Sequence, residues 1–210
     1  MNNWPNSSTS HRVLVTGASS GIGRASAIAF AKSGFDVALV SRSQQKLDAV
    51  LADLADTGVV AKAYAVDLAQ TNQVHAEIQR VVADFGPVDV LVNSAGMGYT
   101  GPLATTSLQD WQQVMDLNLT SVLQCIQAVL PDMRQRQRGT IVNIASIAGK
   151  SAFPDWGAYS VSKAGLMALS RILAVEERAH GIRVVTISPG AVNTPIWDTE
   201  TVQADFDRTR

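Results

Sequence analysis

One cysteine in 210 residues leaves an intrachain disulfide with no second thiol. Cys125 lies in the apolar run Ser121-Val122-Leu123-Gln124-Cys125-Ile126, which makes it a small core hydrophobe. The three histidines, His11, His75 and His180, stand far apart, and no metal is expected. No apolar stretch approaches the roughly 20 residues of a membrane span. Neither sign of charge is in excess: 17 basic side chains face 18 acidic ones, so the basic surface that nucleic acid requires is missing. Charged residues make up 17% and hydrophobic ones 46%, which excludes a disordered composition. Residues 1–10 are polar, without the apolar segment or arginine of a leader peptide, and are expected to form a flexible N-terminal segment. Residues 11–210 contain no repeat, low-complexity tract or Pro/Ser-rich linker, so a single domain is expected there. Together these absences predict a cytoplasmic protein.

Short β-branched runs alternate with longer amphipathic segments, the pattern of parallel strands joined by crossover helices. Strands are predicted at 12–16, 36–41, 59–66, 88–93, 140–144 and 183–188, and helices at 21–33, 43–56, 71–85, 107–136 and 155–180. Gly34, Gly58, Gly86, Gly139 and Gly181 each stand between a helix and the next strand, where a residue tolerant of positive φ ends the helix. The expected architecture is α/β, a Rossmann-type doubly wound parallel sheet, with ligands bound beyond the carboxyl ends of the strands.

The first such end reads Val15-Thr16-Gly17-Ala18-Ser19-Ser20-Gly21-Ile22-Gly23-Arg24. Gly17 permits a tight turn, Gly21 lets backbone approach a pyrophosphate, and Gly23 lets helix and strand pack closely. The free N–H groups and positive end of the helix attract the anion. A second constellation, Tyr159 and Lys163, lies four residues apart on one helix face. A phenol holds its proton to a pKa of about 10, and a fixed ammonium beside it favours the phenolate, so the pair can move a proton.

The Gly-x-x-x-Gly-x-Gly spacing together with Tyr159 and Lys163 resembles the short-chain dehydrogenases/reductases of the classical type. Further matches follow along the chain. Asn93-Ser94-Ala95-Gly96 resembles the family's Asn-Asn-Ala-Gly, with serine at its second position. Asn118 matches the helix asparagine that holds a water beside the lysine, and Ser146, thirteen residues before Tyr159, matches the catalytic serine. Pro189 and Gly190, with Val192 and Thr194, resemble the segment that contacts the nicotinamide carboxamide.

The resemblance implies hydride transfer between a nicotinamide cofactor and a carbonyl or secondary alcohol. Tyr159 would be the general acid/base, assisted by Lys163 and Ser146, with Asn118 completing the catalytic set. It places the cofactor against Thr16, Gly17, Ser19, Ser20, Gly21, Ile22 and Gly23, against Asn93, Ala95 and Gly96, and against Tyr159 and Lys163. Asp67 and Leu68 would meet the adenine.

Cofactor choice is set about 20 residues beyond the glycine loop. Ser41 and Arg42 stand there, and a neutral side chain followed by a guanidinium favours NADP(H) over NAD(H). Arg24 either shares that phosphate or faces water. Tyr99, Phe153, Pro154, Trp156 and Trp197 are expected to wall an apolar pocket for a small carbonyl or alcohol, with neither nucleic acid nor membrane as partner. The family's 3-oxoacyl-carrier-protein reductases tend to carry Asn and Gln where this chain has Phe153 and Trp156, and they stand as the alternative. A non-catalytic dinucleotide sensor is the alternative of another class. Family members continue past the Pro-Gly segment into a lid helix and a seventh strand. This chain stops at Arg210, so a truncated sequence lacking the last strand is expected, within a homo-oligomer.

Overall fold

The computed structural model describes residues 11–198. Six parallel strands form one sheet: β1 (Arg12–Thr16), β2 (Asp36–Ser41), β3 (Ala61–Ala65), β4 (Val90–Asn93), β5 (Gly139–Ile144) and β6 (Ile182–Ile187). Their order is β3-β2-β1-β4-β5-β6, so the winding reverses between β1 and β4, and a crevice opens there. Register aligns the carboxyl ends, with Thr16 opposite Asn93 and Asn93 opposite Asn143. The loops after β1, β4 and β5 therefore emerge side by side.

Alternation along each strand divides the core in two. Leu14, Leu91 and Ile141 point to the face covered by α3 (Thr71–Phe85), α5 (Ser121–Arg136) and α6 (Gly157–Glu176), and they pack with Ile126, Met133 and Leu166. Val13, Val15, Val90 and Val92 point the other way, against α1 (Gly21–Lys32) and α2 (Gln44–Leu54) through Ala27 and Leu47. A strand buried on both faces needs a continuous apolar run, which is why these strands stand out in the sequence.

Most boundaries fall within two residues of the sequence reading, and three departures go further. The segment expected as one helix over 107–136 is α4 (Leu108–Met115), a π-helical turn (Asp116–Thr120) and α5. The last predicted helix stops at Glu176, and Arg178–His180 continue as a 3₁₀ turn. Gly34, Gly58, Gly86 and Gly181 take positive φ, whereas α5 ends on Gln137 at φ 55° and Gly139 is the first residue of β5. Gly139 is needed for space: a Cβ there would lie 2.5 Å from Met133 Sδ.

Among the described residues the sheet ends at β6, and no seventh strand joins it. The expectations for residues 1–10, for 199–210 and for the Trp197 side chain lie outside the described part. Within it, no helix is long and apolar enough to cross a membrane, and no cluster of three His, Cys, Asp or Glu side chains could hold a metal ion.

Candidate active site

The loops at the carboxyl edge enclose a cleft of about 590 Å³. Gly17 turns at φ 64°, and a Cβ there would lie 2.8 Å from the Ala95 backbone, so the loops after β1 and β4 can touch only through glycine. A Cβ on Gly23 would collide with the Gly17 carbonyl oxygen. Ser20 stands at the N-cap of α1 in extended conformation, and its hydroxyl caps nothing, whereas Ser43 and Ser107 cap α2 and α4. The first-turn N–H groups of α1 are thus left for a ligand at the cleft floor.

Tyr159 and Lys163 are both nearly buried on the inner face of α6, with the Lys163 Nζ 5.7 Å from the phenol ring centre. The ammonium donates to the Ile144 carbonyl at the end of β5, at 3.0 Å, which fixes α6 against the sheet. Ser146 shares a hydrogen bond with the Tyr159 hydroxyl, and its Oγ accepts from Ala148 N at 3.1 Å. Trp156 packs edge-to-face on Tyr159, with ring centres 5.4 Å apart.

Burial adds a cost that residue spacing does not show. Burial pushes the Tyr159 phenol above its ordinary value, and the hydrogen bond to Ser146 only partly offsets this. Burial also lowers Lys163 to about 8. Burial is the first cause at both groups, and at neutral pH the pair rests as phenol and ammonium.

Asn118 is fully buried in the π turn, its side chain wholly engaged: Oδ1 accepts from Met97 N at 2.8 Å, and Nδ2 donates to Met97 O at 3.0 Å and Ser162 Oγ at 3.1 Å. It clamps the loop after β4 to α6 behind the lysine and does not line the cleft.

Four residues expected at the cofactor also stand elsewhere. Thr16 is buried beneath the cleft, where its Oγ1 accepts from Ser94 N at 3.1 Å and Ala95 N at 3.2 Å. Asn93 is buried at the end of β4 and donates to Asn143 Oδ1 at 2.8 Å. Gly23 lies under Gly17. Asp67 is exposed, and its carboxylate accepts from Ala69 N at 3.1 Å in a local turn, so Val66 and Leu68 meet the cleft in its place. The other expected cofactor residues, Gly17, Ser19, Ser20, Gly21, Ile22, Ser41, Arg42, Leu68, Ala95, Gly96, Tyr159, Lys163, Pro189, Gly190, Val192 and Thr194, all line it. Of the expected pocket wall, Phe153 and Trp156 line the cleft, while Tyr99 and Pro154 do not.

Past β2, the buried Ser41 hydroxyl has no hydrogen-bond partner among the described residues, and Arg42 stands exposed at the rim. Lys46 joins them, a cleft residue the sequence reading missed; its signal was the four-residue spacing from Arg42 across the start of α2. Arg24 is taken by Asp53 at 2.6 Å and leaves the phosphate question to Arg42 and Lys46.

A doubly wound sheet whose glycine-rich turn and uncapped helix start share one cleft with a buried Tyr/Lys pair defines a nucleotide-binding α/β protein. The family model for short chain dehydrogenase matches residues 11–205, and the chain belongs to that family of oxidoreductases. The 3-oxoacyl-[acyl-carrier-protein] reductase of Staphylococcus aureus is 37% identical over 186 residues, 88% of this chain and 76% of its own length. A metagenomic short-chain oxidoreductase solved in complex with NADP superposes with a TM-score of 0.83 at 39% identity, over 89% of this chain and 85% of that one. An NAD+-bound xylitol dehydrogenase gives 0.81 at 35% identity, over 86% and 70%.

Proposed function

We propose that this short-chain dehydrogenase is an NADP(H)-dependent carbonyl reductase, interconverting a carbonyl and a secondary alcohol. The observation that carries the reading is the placement of Tyr159, Lys163 and Ser146 on the same cleft as the uncapped N-terminus of α1. The residues fit a dinucleotide: the α1 amides and the Gly17–Gly21 turn would hold its diphosphate, and Arg42, Lys46 and the unpartnered Ser41 hydroxyl the adenosine ribose and a 2′-phosphate. Bound there, the nicotinamide supplies the hydride chemistry.

The chain's own groups handle the proton. Tyr159, resting as a phenol, donates to the oxygen that becomes an alkoxide, and Ser146 steadies the charge on that oxygen. Lys163 keeps the developing phenolate from being isolated in an apolar site. Asn118 acts at one remove, by holding the loop after β4 against α6. In the oxidising direction the raised phenol has to be ionised first, so oxidation calls for a higher pH than reduction.

The preference for NADP(H) rests on Arg42 and Lys46 and on the absence of a carboxylate from the cleft lining among the described residues; the metagenomic neighbour with NADP is consistent with it, and the xylitol dehydrogenase with NAD+ marks the competing choice. A 3-oxoacyl-carrier-protein reductase is the second reading, favoured by the Staphylococcus aureus relative. We further read the protein as cytoplasmic, in line with its single buried Cys125, and as a homo-oligomer, in line with the exposed Ile172 and Val175 on α6. Titrations with NADPH and NADH, followed by turnover on ketones, aldehydes and 3-oxoacyl thioesters, test the reading. NADPH should bind more tightly and be consumed with a carbonyl; tight binding without consumption would make the protein a sensor.

A further inference from the structure

The acid–base pair says which bond reacts, and the rest of the cleft says what carries it. The cations lining the cleft divide into two groups. Arg42 and Lys46 lie past the end of β2, at the far end of the cleft from α6, and Lys163 is spent on the Ile144 carbonyl behind Tyr159. No Asp or Glu lines the cleft among the described residues. Around the reacting oxygen, Ser146 and Tyr159 supply the hydroxyls, and Met97, Ile147, Phe153 and Trp156 supply apolar surface. Ile147 and Phe153 are each 42% exposed, large hydrophobic faces on which an apolar ligand can pack.

This wall is built rather than loosely folded over. Trp156 is bridged to Gly101, whose N–H donates to the Asp155 carbonyl at 2.6 Å. Asp155 takes φ 62°, a left-handed conformation that a non-glycine residue keeps only when its surroundings hold it there. Its consequence is to set the Trp156 ring edge-on against Tyr159.

We propose that the substrate is a neutral ketone bearing a flat apolar group, aryl or alicyclic, laid against Trp156 and Phe153, and that Trp156 selects it. The proposal rests on the carbonyl-reductase reading and adds the substrate class. In the reaction the carbonyl carbon gains a hydride, which carries both electrons, from the reduced nicotinamide, which is thereby oxidised; the oxygen gains the proton of Tyr159, and solvent returns a proton to the phenolate. A polyhydroxylated ketose would bury hydroxyls against this wall without partners, at a cost of roughly 5- to 100-fold each. An apolar ring loses nothing there and gains ring contacts.

The test compares acetophenone, xylulose and a 3-oxoacyl thioester as substrates with NADPH, for the native chain, Trp156→Ala and Trp156→Phe. Binding of acetophenone to the NADP+-loaded protein is read separately by saturation-transfer NMR. The expected kcat/KM is about tenfold or more higher for acetophenone than for either competitor. Trp156→Ala should lower the acetophenone-to-xylulose ratio at least about fivefold, chiefly through KM, while Trp156→Phe keeps most of it. Unchanged NADPH affinity shows that the variants are folded. Preference for xylulose or the thioester, or a Trp156→Ala loss equal for all three, overturns the aryl class and leaves the reductase reading standing. Trp156-dependent acetophenone binding without NADPH oxidation on any carbonyl overturns the reductase reading and keeps the apolar slot. Neither binding nor oxidation overturns both.

Discussion

Lys163 carries its charge where almost no solvent reaches it, and that has a measurable cost. Its pKa of about 8 lies below the 10.5 of an ordinary lysine, so the folded chain releases this proton before the unfolded chain does. Between pH 8 and about 10 the unfolded state binds more protons, and stability must rise with pH across that window. Below pH 8 the penalty is fully present, at about 3 kcal/mol. Above about pH 10 the raised phenol of Tyr159 acts in the opposite sense. Lys163→Met should therefore be more stable at neutral pH and flatten the rise in urea-unfolding free energy between pH 8 and 10, while turnover falls. Cofactor choice belongs to the same scale. Arg42→Ala should raise the NADPH dissociation constant about tenfold or more and leave NADH nearly unchanged, with a smaller, salt-sensitive effect for Lys46→Ala. Equal weakening of both cofactors would remove Arg42 from the 2′-phosphate. Arg42 was legible because it follows a recognisable strand end, whereas Lys46 sits inside a helical pattern where a lysine reads as solvated.

The element that matters most is the π turn Asp116–Thr120, which interrupts what the sequence presents as one helix. Neither glycine nor proline marks it, and the apolar periodicity runs through it, so residue patterns gave no sign of a break. Its function is visible only in three dimensions: it carries Asn118 inward to bond Met97 and Ser162. Asn118→Ala removes three hydrogen bonds, one buried and two part-buried, and strands their partners, and we expect a loss of about 3 kcal/mol in urea unfolding together with reduced turnover. Unchanged stability would mean that the clamp is not needed. Glycine punctuation was easier to read, and four of five helix exits follow it. At the fifth, Gln137 adopts the left-handed turn and Gly139 serves packing against Met133, a role that depends on neighbours distant from the turn itself.

At the scale of the whole molecule, the doubly wound parallel sheet and the ligand's place at its carboxyl edge followed from the alternation of buried runs with amphipathic helices, while the strand order itself came from the structure. The balance of burial against charge at Tyr159 was not legible, since it depends on how deep α6 sits in the sheet. The assembled cleft makes a prediction of its own. A dinucleotide bound only by the folded chain adds about 2.7 kcal/mol at 100 times its dissociation constant, so NADPH should raise the melting temperature by roughly 5 to 10 °C. No shift would argue against the cradle.

The most direct measurement pairs cofactor affinity with single-turnover kinetics for the native chain and Tyr159→Phe. The account predicts NADPH affinity unchanged within about twofold and a rate of carbonyl reduction lowered by roughly 10²- to 10⁴-fold. A variant that binds NADPH and reduces the carbonyl at the native rate would contradict it.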